Sequence, residues 1–286
     1  MSIEKTGRRL SLISAKMHDS PADHMQWPAQ VHPGTEWFTS PQLISIYGSP
    51  VYSVLSEAEK KRLSFYEAVN FYSLNINGEK PLVEGLNRRL YAKGYESLLP
   101  YLHHFLDEEN KHMQYFGRFC LDYAGKTYPD RKLVFPKTYA PGEEDFLFFV
   151  KVVIFEEIAD RHNVLQGADA DLHPIARQIN QMHHQDEARH LIFGREIVQE
   201  LFQKFVSVWP QEVLTGIRLY LPQYLVATWK EYYNPDIYKD AGLEQPYELA
   251  KAAWNLPEQK IRRQQLSASC VQFLLDQNIL LEEPLL

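Results

Sequence analysis

Two glutamate–histidine pairs are the residues of this sequence best suited to chemistry. Glu109 and His112 stand three positions apart, as do Glu187 and His190, and His183 precedes Glu187 by four positions. Spacings of three and four residues place side chains on one face of an α-helix. Carboxylates and imidazoles on one face can bind a transition-metal ion, and a ligand set without cysteine favours iron or manganese over zinc.

Apolar residues share the faces on which these pairs lie. The face of Glu109 carries Leu102, Phe105 and Phe116, and the face of Glu187 begins with Ile179. Both faces are therefore predicted to point at the protein core. An isolated carboxylate there must be protonated, ion-paired or bound to metal, because ionisation without a partner costs several kcal/mol. Since no inward stripe of lysine or arginine is available, metal binding is favoured over a structural cluster of hydrogen-bonded acids and histidines.

Two further glutamates are predicted to face the core from other helices. Glu156 continues the face of Phe149, and Glu79 shares a face with Tyr72 and Leu82. Apolar neighbours at helical spacing indicate that both carboxylates point inward. We therefore expect them to join the two histidine motifs at one centre.

The assignment of these two glutamates to the core has alternatives. A one-residue shift of the face would replace Glu156 by Glu157, and Glu84 or Glu67 could face inward instead of Glu79. With the favoured residues, two helices each supply one glutamate and two others each supply a Glu-x-x-His pair, a known pattern of two-metal sites in helix bundles. The predicted metal ligands are Glu79, Glu109, His112, Glu156, His183, Glu187 and His190.

Charged residues beside the motifs are predicted to support the ligands. Glu108 and Asp186 each directly precede a ligand glutamate. We expect each to accept the free N–H of a histidine on the facing helix, which orients the ring and raises its basicity. Arg189 is expected to balance the local charge. The remaining histidines beside the motifs are predicted to lie at the surface or the rim: His103, His104 and His184.

Four long helices are predicted to position these side chains. Apolar residues recur at helical spacing, and Ser56 and Glu59 form the pattern of a capping box. The predicted ranges are about 56–92, 96–124, 142–167 and 173–206. Four helices of this length, followed by shorter ones, are typical of a four-helix bundle.

The rest of the chain is predicted to surround this bundle. Three shorter helices are predicted at about 211–232, 246–254 and 257–279. Residues 1–50 contain prolines and aromatic residues without a clear period, and are predicted to form an irregular arm packed on the core. The prediction is an all-α fold with one helical domain over 51–286. It divides into a bundle at about 56–206 and a helical cap at about 207–286.

Composition disfavours several other classes of protein. The chain has 286 residues, 45% of them hydrophobic, which is enough for one large domain with a buried core. A net charge of -7 argues against nucleic acid or an anionic membrane surface as the main partner. Two cysteines and no leader pattern predict a reduced, cytoplasmic protein. The most apolar run, 146–155, contains Lys151 and is too short to span a membrane.

The order of the motifs resembles that of a known superfamily. E, E-x-x-H, E, E-x-x-H is similar to the ligand order of the ferritin-like diiron carboxylate proteins, and the segment DEARH resembles their fourth-helix motif. The added His183 gives H-x-x-x-E-x-x-H, which resembles specifically the p-aminobenzoate N-oxygenase (AurF-like) family. This resemblance covers about residues 60–205. It implies a ferritin-like bundle whose seven ligands hold two iron ions, with manganese as the alternative metal.

The resemblance also implies an activity. In this family two ferrous ions reduce dioxygen to a bound peroxo species, and oxygen passes to an amine nitrogen. The substrate would be an arylamine or an amino-acid amine, and the product a hydroxylamine, nitroso or nitro compound. An external electron donor is expected as a partner, nucleic acid and membrane are not, and a homodimer is left open.

Other activities of the superfamily are weighed by particular residues. A diiron C–H hydroxylase or desaturase is the main alternative, since only the family likeness of His183 argues against it. Iron storage is disfavoured because about 80 residues follow the bundle. A radical-storing reductase subunit is disfavoured because Phe116 stands four residues after His112, where such proteins place a tyrosine.

Overall fold

Helices make up the regular structure of this chain. The computed structural model describes residues 2–16, 25–130 and 137–286, and within these ranges it contains helices and no β-strand. The predicted all-α fold class is therefore confirmed for this part of the chain. Residues 17–24 of the predicted N-terminal arm lie outside the described residues.

The N-terminal arm is not irregular throughout. One α-helix lies within it, α1 (Ile3–Ser14), and a second short helix, α2 (Pro50–Val54), begins at its last residue. Leu10 of α1 is buried in the core, and Gly7 lies against Leu98 and Tyr101. Isolated helices of about 12 residues are marginal in water, so α1 depends on this packing. A local sequence pattern does not contain that information, and the prediction of an irregular arm missed α1.

Four long helices form the bundle. They are α3 (Glu57–Arg89), α4 (Leu99–Phe119), α5 (Glu143–Ala168) and α6 (Pro174–Phe205). The predicted capping box begins α3, where the carboxylate of Glu59 accepts from the backbone N–H of Ser56 at 2.8 Å. A π-helical turn, Cys120–Ala124, continues α4 to Gly125, whose φ of 67° ends the helix. With that turn included, the helices agree with their predicted ranges to within about three residues.

Glycines allow the bundle helices to approach one another closely. A Cβ atom at Gly78 of α3 would lie 2.3 Å from Cζ of Phe155 in α5, and one at Gly194 of α6 would lie 2.8 Å from Cγ2 of Val153 in α5. Gly78 directly precedes a predicted ligand, and Gly194 lies one turn beyond another. Close packing at these glycines therefore helps to set the spacing between the ligand-bearing helices.

Shorter helices follow the bundle. They are α7 (Gln211–Lys230), α8 (Pro235–Asp240), α9 (Pro246–Trp254) and α10 (Pro257–Asp276). Both α7 and α10 pack against α5, and the indole N–H of Trp229 donates to Oγ of Ser267 at 2.8 Å. The sequence pattern did not predict α8, which has only 6 residues. Within the described ranges no helix is long and apolar enough to cross a membrane.

Two apolar clusters fill the interior, and the predicted ligands lie where they meet. On α3, Ile76 belongs to one cluster and Leu82 to the other, with Glu79 between them. The same change of cluster occurs around Glu109 on α4 and around Glu187 on α6. A polar layer thus crosses the bundle between two apolar regions.

Candidate metal centre

The four long helices bring the seven predicted ligands together in the interior. Glu79 comes from α3 and Glu156 from α5, and the other five come from α4 and α6. None of the seven exposes more than 2% of its surface: Glu79, Glu109, His112, Glu156, His183, Glu187 and His190. Such a concentration of buried acids and imidazoles requires a physical explanation.

Four of these side chains form one compact group. Glu109, His112, Glu187 and His190 bring ligand atoms within 4.8 Å of one another. The Nδ1 atom of His190 lies 2.9 Å from Oε1 of Glu109 and 3.1 Å from Oε1 of Glu187. The Nδ1 atom of His112 lies 3.2 Å from Oε2 of Glu109. Both rings therefore turn the same nitrogen towards the carboxylates, and the group could hold a metal ion.

His183 connects the remaining glutamates to this group. Its Nε2 atom lies 3.1 Å from Oε1 of Glu187 and 3.7 Å from Oε1 of Glu79. Ligand atoms within 4.8 Å also group Glu79 with His112 and His183, and Glu156 with His183 and Glu187. Three overlapping groups that share residues fit two neighbouring ions better than one.

Several buried oxygens of the cluster have no hydrogen-bond partner. Among the described residues, this is true of both carboxylate oxygens of Glu79 and Glu156 and of Oε2 of Glu187. Burial raises the pKa of Glu79 and of Glu156 well above the usual value for glutamate, and the charges of neighbouring glutamates add to the shift. Divalent cations would offset the cost of burying these acids, so the residues present fit a metal centre.

Without a metal, His112 and His190 provide positive charge to the cluster. Burial lowers the pKa of His112 and His190, but the adjacent carboxylates outweigh it and raise both well above the usual value for histidine. Against the effect of burial, the charge of His190 contributes most to holding the pKa of Glu187 well below its usual range. Because a metal ligand must be deprotonated, metal binding at this cluster is expected to release protons.

Carboxylates lie beside the outer ring nitrogens of two histidines, the nitrogens that point away from the cluster. The Nε2 atom of His112 lies 3.2 Å from Oδ2 of Asp186, and that of His190 lies 2.8 Å from Oε2 of Glu108. Arg189 donates to both carboxylates, at 2.7 Å to Glu108 and 2.5 Å to Asp186. Each acid thus lies on the facing helix from its histidine and orients the ring. Although burial opposes the shift, His112 and Arg189 contribute to lowering the pKa of Asp186 to about 2.

The third histidine has a different outer partner. The Nδ1 atom of His183 lies 2.6 Å from Nδ2 of Asn163, which is fully buried on α5. Sequence reasoning gave Asn163 no functional role, although it lies seven positions after Glu156 on the same helical face. Its place on the same helical face as a predicted ligand was the signal that the sequence offered for Asn163.

The alternative glutamates have other partners. Glu157 accepts two hydrogen bonds from Arg195, both at 2.6 Å. Glu84 pairs with Arg88 at the surface, at 2.5 Å. Glu67 is buried, but its Oε1 atom accepts from the backbone N–H of Ser45 at 2.9 Å. None of these three glutamates belongs to the groups of close ligand atoms in the described structure.

The histidines predicted at the rim lie away from the buried groups. His184 is exposed and its Nδ1 atom lies 2.6 Å from Oδ1 of Asp160. His103 is exposed, with Nε2 at 3.4 Å from the hydroxyl of Tyr91, and His104 is half-buried. None of the three joins a group of close ligand atoms within the described ranges.

Residues 2–278 of the 286-residue chain match the model of one known family, described as p-aminobenzoate N-oxygenase AurF. This chain belongs to the p-aminobenzoate N-oxygenase family. The match extends beyond the 60–205 range of the sequence resemblance and includes α1 and the helices that follow the bundle. No curated protein matches the chain.

Membership of the p-aminobenzoate N-oxygenase family establishes the general class of the protein. The family consists of diiron enzymes, and the buried histidine and glutamate groups could hold metal ions. An oxygenase acts on dioxygen and a small-molecule substrate. The family and the donor set at the polar layer thus agree on the type of chemistry.

Proposed function

We propose that the seven buried ligands hold two iron ions, with manganese as the alternative, and that this chain uses dioxygen to oxygenate the nitrogen of a small amine. The observation that carries the proposal is the set of unpartnered oxygens on Glu79 and Glu156 beside three histidines. Family membership supplies the reaction type. The proposed substrate is an arylamine or an amino-acid amine, and the product a hydroxylamine, nitroso or nitro compound.

The charges of the ligands suit two divalent cations. Glu79, Glu109, Glu156 and Glu187 carry four negative charges when ionised, which balance two ions of charge +2. Iron held there would supply the electrons that activate dioxygen. The outer carboxylates of Asp186 and Glu108 would keep the rings of their histidines oriented while the inner nitrogens bind metal.

Aromatic rings pack against two of the buried histidines and would limit the access of water to the centre. The ring of Phe105 stacks on His190 with centroids 4.1 Å apart, and Phe116 meets His183 edge to face at 4.9 Å. Exclusion of water protects a reactive oxygen species from side reactions. A closed apolar surrounding of this kind supports oxygenation of substrate rather than release of the activated oxygen to solvent.

Transfer of one oxygen atom from dioxygen to the amine requires two electrons that neither the amine nor dioxygen supplies. An amine R-NH2 and dioxygen become R-NHOH and water when two electrons and two protons are added. The chain must therefore receive electrons from an external donor for this first step. A second oxygen transfer would give R-N(OH)2, which loses water to form the nitroso compound R-NO, and a third transfer would give R-NO2; each transfer again consumes one dioxygen, two electrons and two protons and releases one water.

An isotope experiment tests the proposed reaction. The purified chain is loaded with Fe(II) without oxygen, reduced chemically, and mixed with 18O2 and a panel of arylamines, amino-acid amines and C–H substrates. Mass spectrometry is expected to find the label on nitrogen. Label found only on carbon would assign the activity to a C–H hydroxylase, and unlabelled desaturated product to a desaturase, and either result would overturn the proposal.

Adjacent residues on α5 provide a matched pair of variants for this experiment. Glu156→Gln removes a proposed ligand, and we expect it to bind fewer than two irons and to lose at least about 100-fold in product formation, because loss of a ligand exceeds the 10–100-fold effect of supporting residues. The matched control is Glu157→Gln, which changes the neighbouring glutamate, whose partner is Arg195. Two irons and wild-type activity in Glu156→Gln would contradict the proposed ligand set.

A further inference from the structure

The outer partners of the three histidines differ in their hydrogen-bonding chemistry. His112 and His190 face the carboxylates of Asp186 and Glu108, at 3.2 Å and 2.8 Å. An ionised carboxylate can only accept a hydrogen bond. The outer nitrogen of each of these rings therefore carries hydrogen whether or not a metal occupies the inner nitrogen.

His183 has an amide in the equivalent place. Nδ2 of Asn163 lies 2.6 Å from Nδ1 of His183, so the amide donates and the ring nitrogen must accept. A neutral imidazole that accepts at Nδ1 carries its hydrogen on Nε2. That Nε2 atom is the inner one, 3.1 Å from Oε1 of Glu187. In this tautomer Nε2 has no lone pair to offer a metal.

A rotation of the same amide by 180° reverses the situation. Oδ1 of Asn163 is buried and has no hydrogen-bond partner among the described residues. After rotation Oδ1 would accept from an Nδ1–H group of His183, and Nε2 would have a free lone pair. The nitrogen and oxygen of the amide are nearly equal in size, so both orientations fit the same space.

We propose that Asn163 is a positioning residue that lets His183 alternate between a metal-free and a metal-binding tautomer. His183 is then the exchangeable histidine of the centre, whereas His112 and His190 are kept in the metal-binding orientation by carboxylates. This inference rests on the proposed two-metal site. Through Asn163, helix α5 would control when His183 binds metal.

Substitution of Asn163 should move this equilibrium in a predictable direction. Asn163→Asp gives His183 the same kind of partner as the other two histidines, so Nδ1 should carry hydrogen even without metal. Asn163→Leu has a similar volume and no hydrogen-bonding group, so it should leave the tautomer uncontrolled. Gln166→Glu is the matched control, because Gln166 is a buried amide of α5 that donates to Asn180 rather than to a ligand.

Zinc and nitrogen NMR provide the test. The 15N signals of the histidine rings are recorded in the metal-free protein and with two equivalents of Zn(II), and His183→Gln assigns the His183 signal. In the wild type we expect the Nε2–H form without zinc and the Nδ1–H form with it. In Asn163→Asp we expect the Nδ1–H form in both states. Zinc release to a chelator should be about tenfold slower in Asn163→Asp and about tenfold faster in Asn163→Leu, and unchanged in Gln166→Glu.

The outcomes separate this inference from the proposed function. If the wild type binds two zinc ions but His183 has one tautomer in both states, the role of Asn163 is refuted and the two-metal site stands. Equal release rates in the wild type and both Asn163 variants would refute it as well. If the wild type binds fewer than two zinc ions, the two-metal site fails, and the inference fails with it.

Discussion

Buried carboxylates in this protein have three different kinds of surroundings. Glu157 pairs with Arg195, Glu67 accepts hydrogen bonds from Ser45, and Glu79 has no hydrogen-bond partner among the described residues. A buried acid is tolerated when it is paired, hydrogen-bonded or neutral. Only the unpartnered acids lack a pairing or hydrogen-bonding group from the chain, and they belong to the proposed metal centre.

Glu67 provides a prediction about pH. Burial raises its pKa from 4.5 to about 7, although the hydrogen bonds from Ser45 oppose the shift. The folded state therefore holds this proton more tightly than the unfolded state. The resulting stability is fully present below about pH 4.5 and is lost as pH rises through about 7, a change of about 3 kcal/mol. Glu67→Gln cannot ionise, so its unfolding free energy should fall less between pH 5 and pH 8 than that of the wild type.

Urea unfolding at both pH values measures this difference. Glu84→Gln is the control, because its side chain is 64% exposed and it should follow the wild type at both pH values. The same loss of stability in the wild type and in Glu67→Gln would contradict a raised pKa at Glu67.

The residues of the candidate site could be predicted only in part from the sequence. Helical spacing predicts that Glu79 and Glu156 face the core, because the period of a helix relates sequence position to direction. The contact between His183 and Asn163 depends on how α5 and α6 are turned against each other. A single helix pattern does not specify that rotation, so the contact between Asn163 and His183 could not be predicted.

At the scale of helices, glycines determine how closely the ligand-bearing elements pack. We expect Gly78→Ala to destabilise the fold by about 1–3 kcal/mol, because its Cβ atom would lie 2.3 Å from the ring of Phe155 and overpacks the contact of α3 with α5. Gly216→Ala is the matched control, since Gly216 lies on the exposed side of α7 and no atom lies within 4 Å of the added Cβ. It should stabilise the protein by about 0.5–1 kcal/mol. Thermal or urea unfolding measures both, and equal effects of the two variants would argue against close packing at Gly78.

Long and short elements differ in how well the sequence predicts them. A capping box marks the start of α3, and sustained periodicity marks α3 through α6, so their bounds could be predicted to within about three residues. Short elements such as α1 and α8 depend on contacts with distant parts of the chain. Arg189, for example, donates to Oγ of Ser14 at 3.0 Å, which ties the end of α1 to the site's outer carboxylates.

At the scale of the whole molecule, a polar layer divides the apolar interior of the bundle. The clusters on either side supply the stability of the fold, whereas the acids and histidines between them reduce it unless they are neutralised. Metal binding is thus expected to be linked to stability, because an ion that binds only the folded state raises its apparent stability. The family match over residues 2–278 covers the surrounding helices as well as the bundle.

Anaerobic titration of the metal-free chain with Fe(II) tests the central claim most directly. Protein-bound iron is measured after desalting, and the Tm is recorded at each addition. The two-metal site predicts two irons per chain, with a Tm that rises until the second equivalent and then levels off. Fewer than two bound irons together with an unchanged Tm would contradict it.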